Sequence, residues 1–420
     1  MVAKATDRAP LAEQHAHARK AQLSCAAVSV VRDAGPYDQS VTTLAEQFRE
    51  SFPICQQRTY LNSCSQGALS VQVRAAYDEF IAGWERYGAQ WDAWVERNEL
   101  VRTAFAAVIN APADAVAVTT SVSAGLSAFV SSLDFGGPRK RIVITDFEFP
   151  TAGQIANAQA ARGAEIVIVP SRDGTIAIED IEAVVDDRTA LLIMTHVCFR
   201  NGSRLDPKAA AKVAHANGAL IAVDSYQAMG SVPIDVVDLD VDVLASGALK
   251  YLLGSAGLGF LYVREGLVER HLPSATGWFA DSDIFAMDHR RYAPSPTARR
   301  FESGTPPVPN LFAGLAGIEL IRGVGVEAIA EHVQLLIDHF RAGLDEMGAT
   351  VITPVERDRR GAMVAVASTD EHALVAALDA AGISTSCRDG NLRVSFHLYN
   401  NQPDVDATLR ALQEHRHLLR

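Results

Sequence analysis

Cysteine is scarce in this sequence. There are five in 420 residues (Cys25, Cys55, Cys64, Cys198 and Cys387), an odd number, scattered and without a CxxC pair. That spacing implies neither a disulfide framework nor a zinc site, so no metal ligands are assigned and a reducing cytoplasm is the expected compartment. Long apolar runs are missing too: none approaches the ~20 residues of a membrane span, so no membrane is expected. Positive charge is short, with 38 Lys and Arg against 50 Asp and Glu for a net −12. A nucleic-acid binder needs a basic face to neutralise phosphates, so that partner is not expected either, although a few residues can still build a local anion site. The basic start has no continuous apolar core and no small-residue cleavage pattern, which argues against a secretory leader. No GxGxxG follows the first predicted strand, so the usual mark of a dinucleotide site is absent.

What the sequence does have is a rhythm of apolar runs. They are AVAVTT ending at Thr120, RIVITD at Asp146, EIVIVP at Pro170, LLIMTHV at Val197, LIAVDS at Ser225, VDVLAS at Ser246 and GFLYV at Val263. Continuous Val/Ile/Leu runs suit strands buried on both faces of a mainly parallel sheet. Ala-rich helical segments such as 207–217 lie between several of them, which is the βαβ alternation. The expected fold is α/β, a three-layer domain around a seven-stranded mainly parallel sheet, followed by a smaller α+β C-terminal domain. The divisions expected are a flexible N-terminal segment at 1–50, a large domain at 51–310 with an N-terminal arm contributing to the small one, and the small domain at 311–420. A helical stretch at 310–347 carries a break at Gly323 and Gly325.

In open α/β sheets, ligands sit beyond the carboxyl ends of the strands, so the residues just after each run carry the chemistry. Ser121-Val122-Ser123 opens a helical stretch after the first run; it is a simple Ser cap or a place where backbone N–H groups and a hydroxyl meet a phosphate. Asp224 ends LIAVDS, with Gln227 three residues on; it caps a turn or pairs with a cationic ligand group such as a protonated ring nitrogen. Lys250 follows VDVLAS among small and apolar residues; it is a solvated surface lysine or a buried amine turned nucleophile and base. Taken in order, a phosphate site, a strand-end carboxylate and a lysine about twenty-six residues later are the three partners that pyridoxal 5′-phosphate needs.

This series resembles the aminotransferase class V family of fold-type-I pyridoxal-phosphate enzymes, which includes cysteine desulfurases, kynureninases and isopenicillin N epimerase-like proteins. The resemblance runs from about Tyr60 to the C-terminus through YLNSCSQGAL, THVCFRNG, AVDSYQAMGSVPID, SGALKYLLGSAGLGFLYV, GWF, RRFESGTPP and LRVSFHLYN. It implies that Lys250 forms the internal aldimine and then acts as base at Cα, that Asp224 holds the pyridinium nitrogen, and that Gln227 lies near the phenolic oxygen. It further implies that Val122 N–H, the Ser123 hydroxyl and Ser246 hold the phosphate, and that Phe149 stacks on the ring. Thr195 is the substitute for a missing Asn at the ring oxygen, and Trp278 of GWF meets the cofactor. Thr305 reaches the phosphate of a neighbouring subunit's cofactor, which makes a homodimer with shared active sites. Arg393 grips the substrate α-carboxylate, a task suited to its bidentate fork. Trp278, Phe279 and Tyr292 are expected along the substrate side chain.

Departures from the family narrow the subtype. Cysteine desulfurases stack a His where Phe149 stands, and their catalytic Cys lies on a longer loop than the six residues that separate Cys387 from Arg393. Kynureninases share FPT at 149–151, GWF and TPP, but their Asp after FPT is Ala152 here, their Tyr before the lysine is Leu249, and their His after the ring Asp is Gln227. The expected function is an enzyme that binds an α-amino acid as an external aldimine and deprotonates Cα, with transamination or epimerisation as the outcome. The alternatives are a lyase that breaks a C–S or C–C bond in the substrate's side chain and a non-catalytic binding protein that keeps the fold.

Overall fold

Seven strands pair into one sheet because their apolar side chains alternate between two separate cores. The structure, a computed structural model, describes residues 43–420. Along the chain the first elements are α1 (Leu44–Phe48), β1 (Thr59–Tyr60), α2 (Val71–Tyr87) and α3 (Trp91–Val108). The main sheet then alternates with helices: β2 (Val116–Thr119), α4 (Val122–Ser131), β3 (Arg141–Thr145), α5 (Pro150–Ala158), β4 (Glu165–Val169), α6 (Ile178–Glu182) and β5 (Thr189–Thr195). It continues through α7 (Pro207–Ala216), β6 (Leu220–Asp224), α8 (Val236–Leu239), β7 (Val243–Gly247) and β8 (Gly259–Val263). The spatial order is β2-β8-β7-β6-β5-β3-β4, with β8 antiparallel to both its neighbours and every other pair parallel. Leu192, Val223 and Leu244 pack into one apolar cluster, whereas Leu191, Ala222 and Ala245, one position away on the same strands, pack into the other. The expected three-layer α/β fold is therefore present. One run differs: β4 is an edge strand, so Ile168 is half exposed, although its apolar run reads as buried on both faces.

The C-terminal part contains α9 (Val308–Val324), α10 (Val326–Glu346), β9 (Met363–Ala367), α11 (Glu371–Ala380), β10 (Ile383–Ser384), β11 (Ser386–Arg388), β12 (Asn391–Ser395) and α12 (Gln402–Glu414). Gly325 sits at φ +93° between α9 and α10, a left-handed geometry that favours glycine, and it makes the expected break. β11, β12 and β9 form an antiparallel sheet, and β1 joins β10 in a parallel pair. The expected boundary at 310/311 falls in the first turn of α9, which packs against α2 and α3.

Of the segment expected to be flexible, residues 1–42 lie outside the described residues. Residues 43–50 correct that expectation. Thr43 and Glu46 close a capping box on α1, and Arg49 makes a bidentate pair with the buried Asp404 at 2.7 and 3.0 Å. Asp404 in turn closes the capping box of α12 with its N-cap Asn401, so these early residues are tied to the last helix.

Candidate active site

Strand ends converge on a cavity of about 330 Å³. Val122, Ser123, Phe149, Thr195, Asp224, Gln227, Lys250 and Arg393 all line it, which brings together eight of the residues singled out in the sequence. The turn after β7 presents Lys250. Ala248 donates to Leu258 O at 3.1 Å, Gly254 closes back on Ala248 O at 2.8 Å, and Gly67 N–H binds Leu249 O at 2.9 Å. A Cβ at Gly67 would stand 2.3 Å from Lys250 O, so only glycine lets the YLNSCSQGAL segment clamp the lysine turn.

The lysine is buried, and that burial brings its amine down to about 8 against the opposing pull of Asp224. Its Nζ lies 4.4 Å from the centre of the Tyr226 ring and 5.9 Å from that of Phe149. An amine so placed is part unprotonated near neutral pH, which is the form that adds to a carbonyl. Asp224 ends β6. Burial raises its carboxyl above the usual range, while the Tyr226 N–H at 2.9 Å and the Lys250 charge oppose the rise. Its second carboxylate oxygen accepts no hydrogen bond from the described residues. A second buried acid, Glu148, feels the Asp224 charge, and its Oε1 accepts from Thr145 Oγ1 and Thr195 N–H at 2.7 Å each. Burial pushes the Glu148 carboxyl up to about 8, with Asp224 adding to the rise.

At the start of α4, Ser121 caps the helix by accepting from Ala124 N–H at 3.1 Å. The N–H groups of Val122 and Ser123 precede any i−4 carbonyl of the helix and are left for a ligand, where the helix dipole favours an anion. The Ser123 hydroxyl also meets Thr151 Oγ1, 2.9 Å away at the start of α5. Phe149, at the N-cap position of α5, remains 46% exposed in the cavity, its ring roughly perpendicular to that of Phe199 with centroids 5.1 Å apart, and is open to a planar group. The side-chain amide of Gln227 donates to Cys64 O at 3.0 Å.

Arg393, on β12, donates to Phe199 O at 2.8 Å, Ser386 Oγ at 3.0 Å and Ser65 Oγ at 3.4 Å; its buried Nε has no partner among the described residues. A guanidinium that lines the cavity and is held by neutral groups alone is a site for a carboxylate. Pyridoxal phosphate therefore fits the residues present. The partner-free oxygen of Asp224 suits a protonated ring nitrogen, the α4 N-terminus suits the phosphate, Phe149 suits the ring face, and Lys250 suits the aldehyde.

Three of the implied roles are not met in the structure, and a fourth, that of Thr305, concerns a neighbouring subunit. Ser246 is not among the lining residues. It shares the parity of Leu244 on β7, which belongs to the cluster on the sheet face away from α4, and its hydroxyl is buried without a partner among the described residues. Thr195 lines the cavity, but its hydroxyl proton goes to Val197 O at 3.0 Å, so it is not a donor to a ring oxygen. Trp278 packs edge-on against Trp91 at 5.5 Å and Phe279 at 4.6 Å, and lines a separate cavity with Tyr292. Thr305 is exposed on the neighbouring loop, whose Ser303 O accepts the Phe279 N–H at 3.1 Å. Neither of these two lines the cavity.

Sequence reasoning missed Cys64, Ser65, Thr151, Tyr226 and Arg388, which also line the cavity. Ser65 and Cys64 sit in the quoted YLNSCSQGAL and Tyr226 in AVDSYQ, so a signal was there for three of them. Cys387, by contrast, points away. It lies opposite the fully buried Leu392, and its Sγ is 3.5 Å from His372 Nδ1 on α11.

The chain matches the Aminotransferase class-V family over residues 85–408. It is 34% identical over 362 residues to an uncharacterized aminotransferase, YcbU, of Bacillus subtilis (strain 168), covering 86% of this chain and 95% of that protein. It is 28% identical over 364 residues to a kynureninase of Deinococcus radiodurans, covering 82% of this chain and 87% of that protein. Among solved structures, the apo cysteine desulfurase of Thermococcus onnurineus NA1 superposes with a TM-score of 0.81 at 23% identity, over 90% of this chain and 99% of that one.

Proposed function

The chain belongs to the aminotransferase class V family, and from that premise we propose that it is a pyridoxal-phosphate enzyme that moves the Cα proton of an α-amino acid, with transamination or epimerisation as the outcome. The observation that carries this reading is the meeting of Lys250, Asp224 and Arg393 in one cavity while Cys387 faces away from it. When bound, the cofactor supplies an aldehyde that takes up amines and a ring that withdraws electrons from Cα. Asp224 keeps the ring nitrogen protonated, which that withdrawal requires. Arg393 fixes the substrate's α-carboxylate and so orients the bond at Cα. Lys250 Nζ, lowered to about 8 by burial, takes the Cα proton and returns it. Val122 N–H, Ser123 N–H and the Ser123 hydroxyl hold the phosphate, and Phe149 covers the ring and keeps water from it.

Purified protein should carry a visible absorbance band that borohydride bleaches, and Lys250→Ala should lose it. Protein that stays colourless with added pyridoxal phosphate would overturn the reading. A second reading, a side-chain lyase, draws on one observation: the Cys64 thiol lines the cavity, where it could serve as an acid beside the substrate's side chain. The products separate the two. A keto acid formed only with an acceptor, or an inverted Cα, supports the first, whereas alanine or pyruvate without an acceptor supports the second.

This reading includes a homodimer. Ile81, Trp84 and Tyr87 are exposed on α2, and Thr305 stands in the open with no function in the cavity of its own subunit. Large apolar patches of that kind mark association surfaces. Sedimentation velocity should give twice the subunit mass of 45.1 kDa. The reading also includes a reducing compartment, the cytoplasm, since Cys55, Cys64, Cys198 and Cys387 are free thiols. No helix among the described residues is long and apolar enough to cross a membrane.

A further inference from the structure

The cavity contains a second arginine with nothing to hold. Strand alternation on the β11–β12 hairpin puts Ser386 and Arg388 on the face of Arg393, and Arg388 lines the cavity with it. The two arginines differ in setting. Arg393 is buried and engaged, whereas Arg388 is exposed, at the rim, and its guanidinium has no hydrogen bond or ion pair among the described residues. The nearby acids are committed elsewhere. Asp389 lies 3.7 Å from Arg200, and Glu371 accepts the Gly390 N–H at 3.1 Å. Asp224 is the one carboxylate lining the cavity among the described residues, and it is bound to the Tyr226 N–H.

An α-amino acid satisfies Arg393 with its α-carboxylate and leaves Arg388 for a group farther along the side chain. Phe149, Phe199 and Leu249 line the same cavity and offer no side-chain hydrogen bond, and of its neutral polar side chains Ser65, Thr195 and Gln227 are bonded to Arg393, Val197 O and Cys64 O. A guanidinium without a carboxylate partner selects an anion, and its planar fork matches a carboxylate. We propose that Arg388 binds a carboxylate on the substrate side chain, so that the substrate is a dicarboxylic α-amino acid. This rests on the reading above, in which the cavity takes an α-amino acid through Arg393.

The test is calorimetric binding to the cofactor-loaded enzyme with isosteric pairs, aspartate against asparagine and glutamate against glutamine, with 2-aminoadipate as a longer acid and norleucine as a neutral reference. At least one acid should bind tenfold or more tightly than its amide. Arg388→Gln should raise the Kd of that acid at least tenfold and change that of the amide less than twofold, with the visible band intact. Arg388→Lys should restore part of the loss. Equal affinity for acids and amides in the wild type, or equal weakening of both by Arg388→Gln, would overturn the proposal. Binding of norleucine without preference for any acid overturns it and leaves the amino-acid reading standing. If no amino acid binds at all, that reading falls and this one with it.

Discussion

Ser386 and Arg393 stand directly opposite each other on β11 and β12, and the Ser386 hydroxyl accepts from Arg393 Nη2 at 3.0 Å. That one contact sets the parity of the whole hairpin. Residues two apart along a strand share a face, so Arg388 joins Arg393 at the cavity and Cys387 is turned to the other side. A loop only long enough for this hairpin has no means of bringing the Cys387 sulfur to a substrate.

Cys387→Ser should therefore leave the enzyme unimpaired. Amino-acid binding, followed by the shift of the visible band, should change less than twofold. Incubation with cysteine should leave no persulfide on residue 387 by mass spectrometry. A tenfold loss of turnover in the variant would put the sulfur back into the reaction and favour the lyase reading.

Lys250 should titrate as an unusual lysine. Burial disfavours its charged form, so the unprotonated amine gains population as pH rises through about 8, well under the ordinary value of about 10.4. Competitive acylation of the cofactor-free protein at pH 6 to 11, read by peptide mass spectrometry, should give Lys250 a midpoint near 8. The Asp224 charge raises that midpoint, so Asp224→Asn should lower it further. A midpoint among those of exposed lysines would show that the side chain lies in water.

What was legible in the sequence follows from what kind of signal each feature leaves. Strands buried on both faces leave continuous apolar runs, and the ends of those runs put Asp224, Lys250 and Ser121 at the carboxyl edge of the sheet. The edge strand β4 left the same kind of run, because an apolar sequence does not record how many neighbours its strand has. Ser246 lies outside the cavity lining because facing is a matter of parity within one strand, and a run of apolar residues does not state which neighbour looks at the ligand. Arg388 escaped notice because its meaning comes from the register with Arg393, a pairing that only the folded hairpin defines. Ser65 and Arg393 meet across 328 positions of sequence, a contact no local pattern carries.

Glu148 should make the fold weaker in alkali. Its carboxyl is raised from the ordinary range to about 8 when folded, so the folded state keeps a proton that the unfolded polypeptide has already released. Stability from such a group is complete below the unfolded value and falls as pH rises through the folded one, by about 1 kcal/mol per pH unit between roughly 6 and 8. Glu148→Gln keeps the oxygen that accepts from Thr145 and Thr195 and has no proton to lose. Urea unfolding of the cofactor-free protein across pH 6 to 9 should show the wild type losing about 2 kcal/mol more than the variant. Parallel pH profiles for the two proteins would refute an ionising Glu148.

Arg102 and Glu302 should prove indispensable for a reason beyond their charges. Both are buried, 2.5 Å apart, and each also covers the open edge of β2: Arg102 Nη1 donates to Val116 O at 2.6 Å and Glu302 Oε1 accepts from Val118 N–H at 2.9 Å. An uncovered strand edge exposes unpaired backbone groups, and a buried one cannot recover them from water. Glu302→Ala leaves the buried Val118 N–H without an acceptor, while Arg102 keeps its bidentate pair with Glu99 at 2.9 and 3.0 Å, so it should cost about 1–3 kcal/mol. Glu302→Gln keeps an acceptor for both donors and should cost much less. Combining Arg102→Met with Glu302→Leu removes the buried pair altogether, yet leaves Val116 O and Val118 N–H without partners. The double variant should therefore recover only part of the loss, where a buried ion pair remote from any strand edge would often be replaced without cost. Full recovery in the double variant, measured by urea unfolding, would mean that the edge is covered by something other than these two side chains.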